Sequence, residues 1–185
     1  MKRHFLISAL AVAALLAAFW SLAAPWAAAF PITPDHYKIT LFGVRHISDM
    51  TPNATQTACR WKQRLDACAP AIDGEDHFVK AARARWFVLA GIAIMILGVL
   101  ALRMRTVGIW TAAPFVIAAL SIGAAITLMR SNIGSALAAF SAAKVTVGET
   151  GMFAAEIAAG VCFIAGLVAA IPVSHEHTGV GSSPS

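Results

Sequence analysis

The apolar and charged positions divide the chain into long uncharged runs and one polar loop. Three runs lack any charge and a fourth contains only Glu156: 5–30, 86–102, 106–129 and 151–173. A helix needs about 20 apolar residues to cross the hydrocarbon core of a bilayer. The sequence therefore predicts an all-α membrane protein, a bundle of four transmembrane helices with spans at about 5–29, 83–102, 107–129 and 151–173.

These spans organise the chain into one membrane domain, residues 1–173, followed by a polar tail, 174–185, that we expect to be disordered. A loop of about 31–82 separates the first two spans. The first run has two interpretations, a cleaved signal peptide or a retained span. Its 26 residues exceed the 7–15 residues typical of a signal-peptide core, which favours a retained span. Trp20 and Trp26 then suit an interfacial belt at its outer end.

The first loop contains a predicted strand and a pair of cysteines. Residues 37–44, YKITLFGV, are rich in β-branched and aromatic side chains. Cys59 and Cys68 predict a disulfide if the loop faces an oxidising compartment. Asn53 begins an N-A-T glycosylation sequon, which also suits an outer face. Arg60, Lys62 and Arg64 would share one face of a strand, where they could bind anionic headgroups or could simply be solvated.

The sequence gives conflicting signals about the side of the membrane on which the first loop lies. Counting Lys and Arg favours placing the basic first loop inside. The basic start of the first span, the cysteine pair and the sequon favour placing it outside. We expect the loop outside and both termini in the cytoplasm.

Composition and charge narrow the function classes. Hydrophobic residues make up 59% of the 185 residues and the formal net charge is +5, but the basic residues are scattered, so nucleic acid is not an expected partner. No nucleophile or phosphate-loop motif is present and the loop lacks tight metal-ligand spacing, so we expect no enzyme activity, no cofactor and no metal.

Glu156 inside the fourth run is expected to pair with Arg83 or Arg85. Cys162 is expected to be a small buried residue.

Several residues resemble a known superfamily. Trp26, the T-L-F-G stretch (Thr40, Leu41, Phe42 and Gly43), the cysteine pair, and the arginine-bearing start of the second span resemble the claudin and peripheral myelin protein superfamily. The T-L-F-G stretch is most similar to that of amastin-type surface proteins, although Lys38 stands where that family has a cysteine and Phe42 replaces a tryptophan. The resemblance implies an outer sheet pinned by the Cys59–Cys68 disulfide, and a non-enzymatic surface role.

We therefore expect a multi-pass cell-surface protein that acts through its first outer loop in adhesion, host or membrane interaction. Its partners would be the lipid bilayer and either another copy of itself or another membrane protein. Two alternatives remain open: an accessory subunit of a transporter, channel or other membrane complex, and an ion- or proton-handling protein that uses Glu156.

Overall fold

The fold was analysed in a computed structural model, which describes residues 2–29, 35–48, 58–60, 83–104, 109–138, 145–147 and 149–171. Within these ranges it has four long helices and five short strands. The helices are α1 (Lys2–Ala23), α2 (Ala84–Met104), α3 (Ile109–Ala138) and α4 (Thr150–Ala170). The strands are β1 (Ala27–Ala29), β2 (Asp35–Thr40), β3 (Gly43–Ser48), β4 (Ala58–Arg60) and β5 (Val145–Val147).

All four described helices are long and apolar enough to cross a membrane, which confirms the predicted helices and indicates a multi-pass membrane protein. Large apolar side chains point outward from each of them, among them Phe5, Leu97, Leu120 and Leu167. Such an apolar exterior would be a liability in water and suits contact with lipid.

The helices pack as a bundle in which α3 lies between α2 and α4, and α1 packs along α4 with a lighter contact to α2. Alanine dominates the buried faces of α1 and α4, at Ala11, Ala14 and Ala18 and at Ala155, Ala158 and Ala165. Small side chains let helix backbones approach closely where lipid offers no hydrophobic driving force. Cys162 is fully buried in this core, as predicted.

Arg3 joins two helix ends, the start of α1 and the end of α4, at the end of the bundle farthest from the sheet. Its guanidinium donates to the Val168 carbonyl oxygen at 2.6 and 3.1 Å, to the Ala169 carbonyl oxygen at 3.1 Å, and to the carbonyl oxygen of Ile171. The last carbonyl groups of a helix lack intrahelical partners and carry partial negative charge. The start of α1 is therefore fastened to the end of α4, at the opposite end of the bundle from the strands.

The five strands form one antiparallel sheet in the order β4-β3-β2-β1-β5. β1 follows α1 directly and pairs with β2 on one side and with β5 on the other. β1 to β4 come from the segment between α1 and α2, and β5 comes from the segment between α3 and α4. The sheet therefore combines residues of both connecting segments at this end of the bundle. The sequence predicted strand structure only in the first of them.

Two predicted boundaries need correction. The first span was placed at 5–29, but α1 ends at Ala23 and residues 27–29 form β1. Pro25 has no N–H to continue the helix, and the sheet satisfies the backbone groups of the three alanines that follow. The third span was placed at 107–129, but α3 continues to Ala138. In this extension the Asn132 side-chain amide donates to the Leu128 carbonyl at 2.8 Å.

Candidate functional site

Trp26 forms the junction between the bundle and the sheet. The indole is fully buried and its N–H donates to the Ser21 carbonyl at 2.7 Å. That carbonyl would normally accept from the amide four residues later, but position 25 is proline, so the indole supplies the missing donor. The Trp26 amide also donates to the Ile39 carbonyl at 2.7 Å, and its carbonyl accepts from Glu149 at 3.3 Å. Trp26 thus connects α1, β2 and the start of α4.

The burial of Trp26 corrects one expectation and leaves another in place. The sequence suggested that Trp20 and Trp26 would both lie in an interfacial belt. Trp20 is 63% exposed, as such a belt requires, whereas Trp26 is 0% exposed. Trp26 is therefore a structural residue of the junction.

Gly151 closes the same junction from α4, a role that the sequence did not predict. Its amide donates to the Pro25 carbonyl at 2.7 Å. A Cβ at this position would lie 2.6 Å from the Ala24 carbonyl oxygen and 2.7 Å from that of Pro25. Backbone atoms at that distance cannot move aside as a flexible side chain can, so the close approach requires glycine. A glycine at the start of an apolar run was the only sequence signal.

The T-L-F-G stretch is a hairpin turn, which corrects the prediction of one continuous strand at 37–44. Thr40 pairs with Gly43 across the turn, leaving Leu41 and Phe42 at its tip. The Thr40 hydroxyl accepts from the Phe42 amide at 3.3 Å and from the Gly43 amide at 3.2 Å, and donates to the Gly43 carbonyl at 2.9 Å. This side chain therefore holds the turn together.

The tip of the hairpin points back toward the bundle. Ile39, two residues before the tip, pairs with Ala27, the first residue of β1 after α1. Leu41 is fully buried in the hydrophobic core that includes Trp26, whereas Phe42 is 46% exposed. The loop motif residues thus have separate roles: Trp26, Thr40 and Leu41 build the junction, and Phe42 is left on the surface near the helix ends.

A pair of basic residues lies on the face of the hairpin opposite to the buried Ile39. Lys38 and Arg45 are directly opposite each other in β2 and β3, and alanine occupies the next position on either side, Ala28 in β1 and Ala58 in β4. Arg45 is exposed and Lys38 half-buried. Neither has an ion-pair partner among the described residues. Like charges directly opposite destabilise a sheet, by roughly 0.2–1 kcal/mol on the scale of cross-strand pairs, so this face favours an anion.

The predicted ion pair of Glu156 with Arg83 or Arg85 is corrected. Glu156 instead pairs with Arg130 of α3. Arg83 is exposed, and the Arg85 guanidinium lies 5.1 Å from the centre of the Trp86 ring, with its Nε buried and unpaired within the described structure. The reason is packing order: among the described elements α4 packs mainly against α3 and α1, so Arg83 and Arg85 at the start of α2 lie on a different side of the bundle.

Other predicted site residues lie outside the described part of the chain. Cys68 and Asn53 are not among the described residues, and Cys59 is described only as a backbone position of β4. The Cys59–Cys68 disulfide and the glycosylation of Asn53 therefore stay predictions, as does the disordered tail at 174–185. Among the described residues, no group of three or more His, Cys, Asp or Glu side chains could hold a metal ion.

Comparison of the chain with models of known protein families gives no match, and comparison with curated proteins finds no relative.

Proposed function

We propose that this chain is a non-enzymatic membrane surface protein that acts through its sheet, by contact with an anionic cell or membrane surface. In this proposal the sheet lies outside the cell and both termini lie in the cytoplasm. The observation that carries it is the pair of Lys38 and Arg45, opposed across two strands with no anionic partner in the described structure.

The attachment of the sheet supports this role. Trp26 and Gly151 fix it to the ends of α1 and α4 through buried contacts and short backbone hydrogen bonds. A binding face held by rigid supports loses less conformational freedom on contact than a free loop does. The basic face is thus presented in a defined position relative to the bilayer.

The bundle interior supports a surface role better than ion handling. The buried polar side chains of the described core are Ser21 and Thr111. Ser21 lies at the sheet end of α1 and Thr111 near the start of α3, at the opposite end. A conducting or proton-relay path needs polar groups along its length, and these two positions are separated by apolar core.

Docking of reconstituted vesicles tests the proposal. Liposomes of neutral lipid that carry the protein are mixed with acceptor vesicles rich in phosphatidylserine, or with neutral acceptors, and docking is followed by energy transfer. A basic residue near an anionic surface is worth about 1 kcal/mol, so the Lys38→Gln/Arg45→Gln double variant should dock about 20–30-fold more weakly. Added sulfated polysaccharide distinguishes a general preference for anions from a preference for lipid headgroups.

The matched control is Arg103→Gln, because Arg103 is an exposed basic residue at the other end of the bundle. It should dock as the parent chain does. Equal docking by the parent and the double variant on anionic acceptors would show that the basic face of the sheet is not the contact surface.

A further inference from the structure

The Arg130–Glu156 ion pair faces outward from the bundle. The two side chains connect α3 to α4, and they are 59% and 39% exposed respectively. Both residues lie within apolar stretches long enough to cross the membrane, Trp110–Asn132 and Thr150–Ala170. Charged side chains in membrane helices almost always face the interior of a bundle or a water-filled cavity. An outward-facing pair therefore indicates that another surface covers it.

The depth of the pair agrees with this interpretation. Glu156 lies six residues after the first residue of α4, which at 1.5 Å per residue is about 9 Å along the helix from its sheet end. Arg130 lies two residues before the end of its apolar stretch. The carboxylate therefore originates more than one helical turn inside the span, and the longer arginine side chain meets it there.

An open seam lies beside this ion pair, farther from the sheet. Gly160 is one turn farther along α4 than Glu156, and Gly123 is two turns farther from the sheet than Arg130 on α3. Among the described residues, a Cβ at either glycine would meet nothing within 4 Å. By contrast, a Cβ at Gly166 of α4 would lie 2.9 Å from the Val116 side chain. The packing of the single chain thus uses Gly166 but leaves the space at Gly123 and Gly160 unfilled.

We propose that this seam, formed by Gly123, Arg130, Glu156 and Gly160, is the docking surface for a second copy of the chain. The charges are self-complementary: a two-fold axis through the seam places Arg130 of each copy opposite Glu156 of its partner. Such an isologous contact closes after two copies. The glycines let a helix of the second copy approach closely, as small residues commonly do in membrane interfaces. This inference is independent of the proposed role of the sheet.

Energy transfer between donor- and acceptor-labelled copies in liposomes measures the association. The parent chain should give a signal above random proximity at low protein-to-lipid ratio. Gly160→Leu places a side chain in the open space, with a Cβ that meets no described residue of its own chain within 4 Å, and should reduce the signal to the level of random proximity. Ala93→Leu is the matched control, since Ala93 is exposed on α2, away from the seam, and it should leave the signal unchanged.

The charges are tested by exchange. Glu156→Arg places like charges across the two-fold axis and should abolish association, whereas the double variant Arg130→Glu/Glu156→Arg restores opposite charges and should recover it. A covalent readout avoids dependence on Gly160→Leu folding normally. Under mild oxidation the Gly160→Cys variant should form a disulfide-linked dimer with a second copy of itself, and the Ala93→Cys variant should not.

The proposal is overturned if the parent chain gives only random-proximity energy transfer, or if Gly160→Leu associates as strongly as the parent. A Gly160→Cys variant that crosslinks in native membranes only to a different protein would also overturn it, in favour of a heteromeric complex.

Discussion

Replacing Trp26 tests the junction on which the fold depends. In Trp26→Phe the ring is retained in smaller form but the indole N–H is lost. The Ser21 carbonyl then has no donor, because Pro25 cannot provide one. A buried acceptor left unpaired costs about 1–3 kcal/mol. Trp26→Ala removes the fully buried side chain as well, and large-to-small changes of this kind cost about 3–5 kcal/mol.

The assay is unfolding in mixed micelles, titrated with a denaturing detergent and followed by far-ultraviolet circular dichroism, which does not depend on the tryptophan removed. The order of stability should be parent, then Trp26→Phe, then Trp26→Ala. Trp20→Ala and Trp110→Ala are matched controls, because those side chains are 63% and 80% exposed, and each should stay within about 0.5 kcal/mol of the parent. Equal losses for Trp26→Ala and Trp20→Ala would refute the reasoning.

Four further predictions concern the same framework. Gly151→Ala should lower stability by about 1–3 kcal/mol in the same titration, because the new Cβ meets two backbone oxygens. Thr40→Val, nearly equal in shape, should speed hydrogen exchange of the two amides at the hairpin turn, since their acceptor is lost. Arg3→Gln should lower the melting temperature in detergent, and Arg3→Lys should lower it less, because a lysine keeps the charge near the end of α4. Mass analysis after alkylation without reductant should show Cys59 and Cys68 joined, a link worth about 2–3 kcal/mol by the chain-entropy model.

The helices could be predicted from the sequence because one physical requirement determines them. An apolar run of about 20 residues is long enough to cross a bilayer as a helix, and each of the four runs contains a helix. The exact ends were less predictable. At the end of α1, backbone pairing with β2 and β5 replaces helical hydrogen bonds at residues 27–29, and that depends on strands distant in the chain.

The hairpin was missed because its turn lacks the usual residues. Residues 37–44 contain no Asn, Asp or Pro, and Gly43 alone did not mark a turn. The Thr40 hydroxyl provides the local hydrogen bonds that such residues normally supply. β5 was missed because three residues are too few for any periodic pattern.

The partner of Glu156 could not be predicted because it depends on which helices are neighbours. Only four residues, 105–108, separate α2 from α3, and so short a connection favours packing of these two helices against each other. Nothing in the sequence indicated that α4 packs on α3 with Arg130 at the depth of Glu156. Both the ion pair and the open space at Gly123 and Gly160 depend on how the helices pack, which the sequence alone does not specify.

The most direct test of the central claim, that the sheet is displayed outside the cell, is labelling of single introduced cysteines in intact cells with a maleimide that cannot cross membranes. Arg45→Cys reports the sheet and Arg103→Cys reports the opposite end of the bundle, with the parent chain giving the background from native cysteines. Arg45→Cys should be labelled in intact cells, and Arg103→Cys only after permeabilisation. Labelling of Arg103→Cys but not Arg45→Cys in intact cells would contradict it, because the sheet would then face the cytoplasm.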